Sequence, residues 1–174
     1  IHNKVNDYLL KLSPVYAHSA KASTMENIEF DIAHDSLFVM KNQKGEIIAA
    51  ISIDHDEEVD KLDCWSKDFQ PSAEVARVCV RKDLQGQGIA KMMMEHVFAV
   101  LREQNKKSVH ILVRDNHKVA LKCYSDLGFV PVGECELFEK YFVCMEKKII
   151  KNQKHKIQLK ILRHILKIEK KDTR

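Results

Sequence analysis

The chain has 174 residues, of which 45% are apolar and 31% charged, and it carries a formal net charge of +4. That size and balance suit one soluble globular domain with its own core. No apolar run approaches the roughly 20 residues that span a bilayer, which excludes a membrane-spanning helix. The charge is unevenly placed. Residues 147–174 hold eleven Lys/Arg against Glu169 and Asp172, or +9, so the rest carries −5. An acidic body with a basic tail implies a boundary near Ile150, giving a domain over 1–148 and a tail over 149–174.

Residues 5–12 and 26–34 read as short helices. Ser36 to Lys41 and Glu46 to Ile53 read as strands joined by the turn Asn42-Gln43-Lys44-Gly45, a hairpin. An acidic loop follows, with Asp54, Asp56, Glu57, Glu58, Asp60 and Asp63. Glu74 to Val80 reads as a strand, then a glycine-bearing stretch opens a helix at about 88–104. In that helix Ile89, Met92, Met93, Val97, Val100 and Leu101 recur at helical spacing. Ser108 to Val113 reads as a strand, Asn116 to Leu127 as a helix stopped by Gly128, and 129–134 and 141–147 as two last strands. The order predicts an α/β fold with a mixed sheet. In the tail, Ile157, Ile161, Ile165 and Ile168 share a helical face beside a stripe of Lys156, Lys160, Arg163, Lys167 and Lys170. Such a helix can dock on the domain or on a second copy as a homodimer, lie on an anionic membrane, or touch nucleic acid.

The five cysteines form no Cys-x-x-Cys pair and their number is odd, which argues against a zinc site or a disulfide framework. The nine histidines show no metal-binding spacing, so no metal is expected. Nor does the N-terminus have a basic region, an apolar stretch and a cleavage site in order. A reduced, cytoplasmic setting is therefore expected. The chain opens with Ile1 rather than Met, as a fragment or a processed chain would.

Two of only five glycines, Gly86 and Gly88, stand between a strand and a helix. A strand, a glycine turn and a helix start make an anion site, because the first-turn N–H groups lack partners and the helix dipole favours negative charge. A plain turn is the competing reading. Neither the Walker pattern nor Gly-x-Gly-x-x-Gly fits, since Lys91 stands where the third glycine would be.

Gln85-Gly86-Gln87-Gly88-Ile89-Ala90 does fit Gln/Arg-x-x-Gly-x-Gly/Ala, the pyrophosphate loop of the GNAT superfamily of N-acetyltransferases. Asn116, Ala120, Tyr124 and Gly128-Phe129 resemble the second motif of that family, Asn-x-x-Ala-x-x-x-Tyr-x-x-x-Gly-Phe, in the right order. The resemblance covers about residues 1–148. It leaves the family's usual first strand without a counterpart before Ile1, and the basic helical tail outside the pattern. It implies a mixed, splayed sheet flanked by helices, with acetyl-CoA as co-substrate and an amine as acceptor. By resemblance, Gln85 to Ala90 cradle the pyrophosphate, with Lys91 adding charge, and Val80 meets the pantetheine. The Val78 N–H polarises the thioester carbonyl, and Asn116 contacts the cofactor arm. Tyr124 matches the general acid and Glu74 a glutamate base acting through water, its pKa raised by partial burial. A core tyrosine and a surface glutamate remain the alternative readings of these two positions. Cys79 and Cys123 are expected to be apolar packing. A non-catalytic acyl-CoA-binding module of the same fold is the alternative function.

Overall fold

A computed structural model of the chain describes residue 15, residues 25–54 and residues 56–150. The expected helices over 5–12 and 156–171 lie outside the described residues. Within them the elements run α1 (Met25–Ala33), β1 (Leu37–Lys41), β2 (Ile47–Asp54), α2 (Glu57–Asp60), β3 (Ser72–Val80), α3 (Ile89–Glu103), β4 (Ser108–Arg114), α4 (Lys118–Asp126), β5 (Val130–Leu137) and β6 (Lys140–Lys148). The six strands form one sheet in the order β1-β2-β3-β4-β6-β5. Every neighbouring pair is antiparallel except β3 and β4, which run parallel. This is the mixed α/β architecture expected.

The β3–β4 pair is the feature that shapes the site. It holds only at Ser72↔Ser108, Ala73↔Val109 and Glu74↔His110. Beyond Glu74 the two strands part, although β3 continues to Val80 and β4 to Arg114. The sheet is therefore forked, with Glu74 and His110 at the apex and Val78 to Val80 on one arm.

The apolar spacing of α3 explains how that arm is held. Ile89, Met92, Met93, Met94, Val97, Phe98 and Leu101 are all buried. They pack on the sheet with Ile51, Val75, Val109 and Met145. Burying a side chain of this size contributes about 1.5–3 kcal/mol, so the helix start is firmly registered on the strand before it. A second cluster, on Val15, Ile28, Ile47, Ala50 and Cys79, lies under α1. A third, on Val59, Trp65 and Cys144, lies under the segment joining β2 to β3.

Several boundaries differ from the expectations, for local reasons. The acidic loop contains α2, because the Asp56 carboxylate accepts the Glu58 and Val59 N–H groups and caps a helical turn. The helix expected from Asn116 starts at Lys118, capped by His117, whose Nδ1 accepts the Ala120 N–H at 3.3 Å. At its other end the Gly128 N–H donates to Ser125 O and the Phe129 N–H to Tyr124 O, the paired bonds of a Schellman stop. The last hairpin is tighter than expected. β5 and β6 run to a two-residue turn at Phe138 and Glu139, whose φ values are 52° and 57°.

One packing contact gives a stability prediction. A Cβ built on Gly133 would lie 2.7 Å from the Cys64 Cβ, an atom fixed next to backbone. Gly133→Ala is therefore expected to destabilise the fold by about 1–3 kcal/mol, the range for overpacking. Urea unfolding would read this directly, and an unchanged midpoint would show that Cys64 can move aside.

Candidate active site

The loop leaving β3 is built to present backbone. After Val80, a short 3-10 turn at Lys82–Leu84 leads into Gln85 to Gly88. Gly86 has φ +74° and Gly88 φ +81°, a region that side chains rarely tolerate. A Cβ at either position would meet nothing within 4 Å, so the space above both is open. Gly88 is also the N-cap of α3, and it offers no side-chain acceptor to the first-turn N–H groups. The polar side chains fold back instead: Gln85 Nε2 donates to Val80 O at 3.1 Å and Gln87 Nε2 to Asp83 O at 3.4 Å. Ile89 is buried and anchors the helix start, while Lys91 is exposed beside it. The Gln85 N–H is taken up by Lys82 O at 3.3 Å, but open space, a helix start without a side-chain cap and the helix dipole fit a phosphate group.

Asn116 stands exposed in the turn after β4, its N–H bonded to the Asp115 carboxylate at 2.8 Å. Because β3 and β4 run parallel, this turn and the glycine loop leave the same end of the sheet. Tyr124 is buried and packs its ring on Phe129 at 5.7 Å. Burial pushes its phenol above the ordinary tyrosine range, and the Cys123 and Cys79 thiols push it further. Tyr124 therefore stays protonated at every working pH. Tyr124 belongs to the apolar cluster against which Val78 and Val80 also pack.

Glu74 lies at the apex of the fork on the opposite face from α3. Its residue exposure is only 6%, and Oε2 is buried with no hydrogen-bond partner among the described residues. Burial, with the Asp54 and Asp56 charges behind it, pushes its pKa up to about 8, against hydrogen bonding from the Asp56 N–H and the nearby Arg77 charge. Glu74 and Tyr124 are not in contact with each other. They sit on opposite faces of β3, and only the fork connects those faces.

Beside Glu74 lies a groove of about 300 Å³ lined by Asn27, Phe30, Asp54, Asp56, Glu57 and Arg77. The acidic segment thus borders a cavity, and three carboxylates outnumber the one guanidinium. Also on this face, His110 stacks on Trp65 with centroids 4.5 Å apart, and its Nε2 lies 3.5 Å from Asp60 Oδ1. Sequence reasoning did not anticipate Asn27, Phe30, Arg77 or His110. Arg77 left one signal, a charge in the middle of an apolar strand.

Among the described residues no group of three or more His, Cys, Asp or Glu is placed to hold a metal. No described helix is long and apolar enough to cross a membrane. Comparison with curated proteins finds no match. Solved structures are similar in fold. Naa20 of Chaetomium thermophilum, in complex with a bisubstrate analogue, superposes with a TM-score of 0.67 at 17% identity, over 86% of this chain and 86% of that one. Ard1 from Thermoplasma volcanium gives a TM-score of 0.63 at 18% identity, over 78% of this chain and 87% of that one. The PaiA N-acetyltransferase of Thermoplasma acidophilum, in complex with coenzyme A, gives 0.53 at 15% identity, over 72% and 71%. At these identities the likeness speaks for the fold. The model of the acetyltransferase (GNAT) family matches residues 5–129. With that match spanning the forked strand, the glycine loop and the stop at Gly128-Phe129, the chain belongs to the GNAT acetyltransferase family.

Proposed function

We propose that the chain is an acetyl-CoA-dependent N-acetyltransferase that passes the acetyl group to a primary amine, on a small molecule or a peptide, by direct attack. The observation that carries this reading is the fork between β3 and β4, flanked by the open glycine loop at one end and the acidic groove at the other. Acetyl-CoA supplies an activated acyl group as a thioester. In this reading the Gln85 to Ala90 loop cradles its pyrophosphate through the backbone N–H groups that follow Gln85, whose own N–H donates to Lys82 O, with Lys91 adding charge and Asn116 meeting the arm. Val80 aligns the pantetheine along β3. The Val78 N–H donates to the carbonyl oxygen as charge grows there.

Proton movements divide between the two faces. An amine reaches neutral pH as an ammonium and must lose a proton before it attacks. Glu74 is suited to take it, since a base poised near the operating pH is the most effective. Val78 lies four positions beyond Glu74, at most about 13 Å along a fully extended strand and less across the left-handed Arg77, too far for direct contact, so the transfer runs through water. Tyr124, always protonated, gives its proton to the departing thiolate. The acidic lining favours a cationic acceptor.

Turnover is expected to rise with pH through about 8, because only the Glu74 carboxylate accepts a proton. The profile should be taken with an acceptor whose own amine titrates well away from 8. Glu74→Gln is expected to remove that limb and lower kcat by about 10²–10⁴-fold. A Glu74→Gln profile matching the parent would move the base elsewhere. Thiol release from acetyl-CoA across a panel of cationic and neutral amines tests the function itself. Silence on every amine, with acetyl-CoA binding intact, would make the chain an acyl-CoA-binding module.

A further inference from the structure

We propose that Arg77 is a positioning residue: through its ion pair with Asp31 it holds a bulge in β3 that aims the next amide, the Val78 N–H, into the fork. The inference rests on the reading of Val78 as the donor to the thioester carbonyl, and it names what aims that donor.

The bulge is visible in the register. Ala50 pairs with Cys79 and Ser52 with Ala76, so Arg77 and Val78 together face the single residue Ile51. Arg77 itself has φ +53°, a left-handed conformation inside an extended strand. The extra residue resets the alternation of the strand. With strict period 2, Arg77 would fall on the core side with Val75, and Val78 on the other. Instead Val75, Val78 and Val80 all pack on the α3 cluster, while Cys79 joins the cluster under α1. The phase of the peptide groups changes where the two strands part.

A non-glycine residue keeps such a conformation only when its surroundings over-determine it. Here they do. Arg77 Nε lies 2.6 Å from Asp31 Oδ2 and Nη2 lies 2.6 Å from Asp31 Oδ1, a two-pronged pair. Nη2 also lies 2.6 Å from Asp54 Oδ2. Asp31 is fully buried and accepts the Ser52 and Ser36 hydroxyls as well. The bulge residue is thus tied to α1, to the entry of β1 and to β2 at once. Lysine has the charge but not the planar fork. Arg77 also lines the acidic groove, so one residue serves both the acceptor side and the thioester side.

The test reads the carbonyl rather than turnover alone. Acetyl-CoA carrying a ¹³C carbonyl is bound to the full chain, and its infrared stretch is compared with that of the free thioester. The parent is expected to lower the frequency. Arg77→Ala is expected to return it toward the free value and to cut kcat by about 10- to 100-fold, as misplaced catalytic groups do, with the Kd for CoA unchanged. Arg77→Gly, which also lacks the guanidinium but adopts positive φ freely, should keep more of both the shift and the rate. Asp31→Asn should act in the same direction as Arg77→Ala, and it decides the matter if the alanine variant does not fold. Arg77→Lys should fall between parent and alanine. A full shift in Arg77→Ala or Asp31→Asn would overturn the proposal. Equal impairment of the glycine and alanine variants would also overturn it, since the guanidinium would then act by charge. An unshifted carbonyl in the parent would instead overturn the donor reading of Val78, on which the inference rests.

Discussion

Gly88→Val is expected to abolish acetyl-CoA binding while leaving the domain folded. The magnitudes decide this. A side chain in the left-handed region costs about 1–2 kcal/mol, and valine at positive φ is a genuine outlier. Domain stabilities run to about 5–15 kcal/mol, so the seven buried residues of α3 keep the helix in place. The strain is relieved where the chain is free to give, in the exposed turn from Gln85 to Gly88. Relief rotates the peptide planes whose N–H groups face the open space. The new side chain also enters that space, where a Cβ now meets no protein atom. A pyrophosphate would lose both its donors and its room. A loss of at least about 100-fold in Kd corresponds to about 2.7 kcal/mol, and calorimetric titration alongside far-ultraviolet circular dichroism would measure it. Binding within a few-fold of the parent would remove the cradle reading of Gln85 to Ala90.

Tyr124→Phe is expected to lower kcat by about 10²–10⁴-fold, the contribution of a well-placed proton donor, with acetyl-CoA affinity preserved. The ring keeps its place, because Phe129 still packs against it and the Tyr124 carbonyl still accepts the Phe129 N–H. The melting temperature should therefore barely change. That combination separates a proton donor from a core aromatic, which would cost stability and not rate. Unchanged turnover in Tyr124→Phe would leave the leaving thiolate to another donor or to water.

The sequence made most elements of the sheet legible because its strands and helices obey their own periods. The apolar spacing of Ile89, Met92, Met93, Val97 and Leu101 left little choice but a helix on a sheet. The glycine pair was legible for a different reason, since strand, turn and helix start leave few chemical uses for two glycines one residue apart. What escaped was set by contacts between distant segments. The Arg77 bulge depends on Asp31, 46 residues away in sequence, and no local pattern announces it. The turn at Phe138-Glu139 carries none of the glycine or asparagine that normally marks positive φ, so its tightness was hidden and the strands were drawn short. In the acidic segment six carboxylates read as a loop. Asp56 caps a helical turn there, and the same segment walls a groove only because α1 comes back over it. Glu74 was legible as a position and its partial burial was expected, but the Asp54 and Asp56 charges that add to the effect of burial were not, since they come from the end of β2 and the segment after it.

The most direct measurement is a single-turnover reaction with acetyl-CoA labelled in the acetyl group and a cationic primary amine, parent and Tyr124→Phe side by side. The label is expected on the amine nitrogen in the parent within one turnover, and to arrive there at least about 100-fold more slowly in the variant. Label that stays on CoA, or that appears only as free acetate, would contradict acetyl transfer to an amine by this chain.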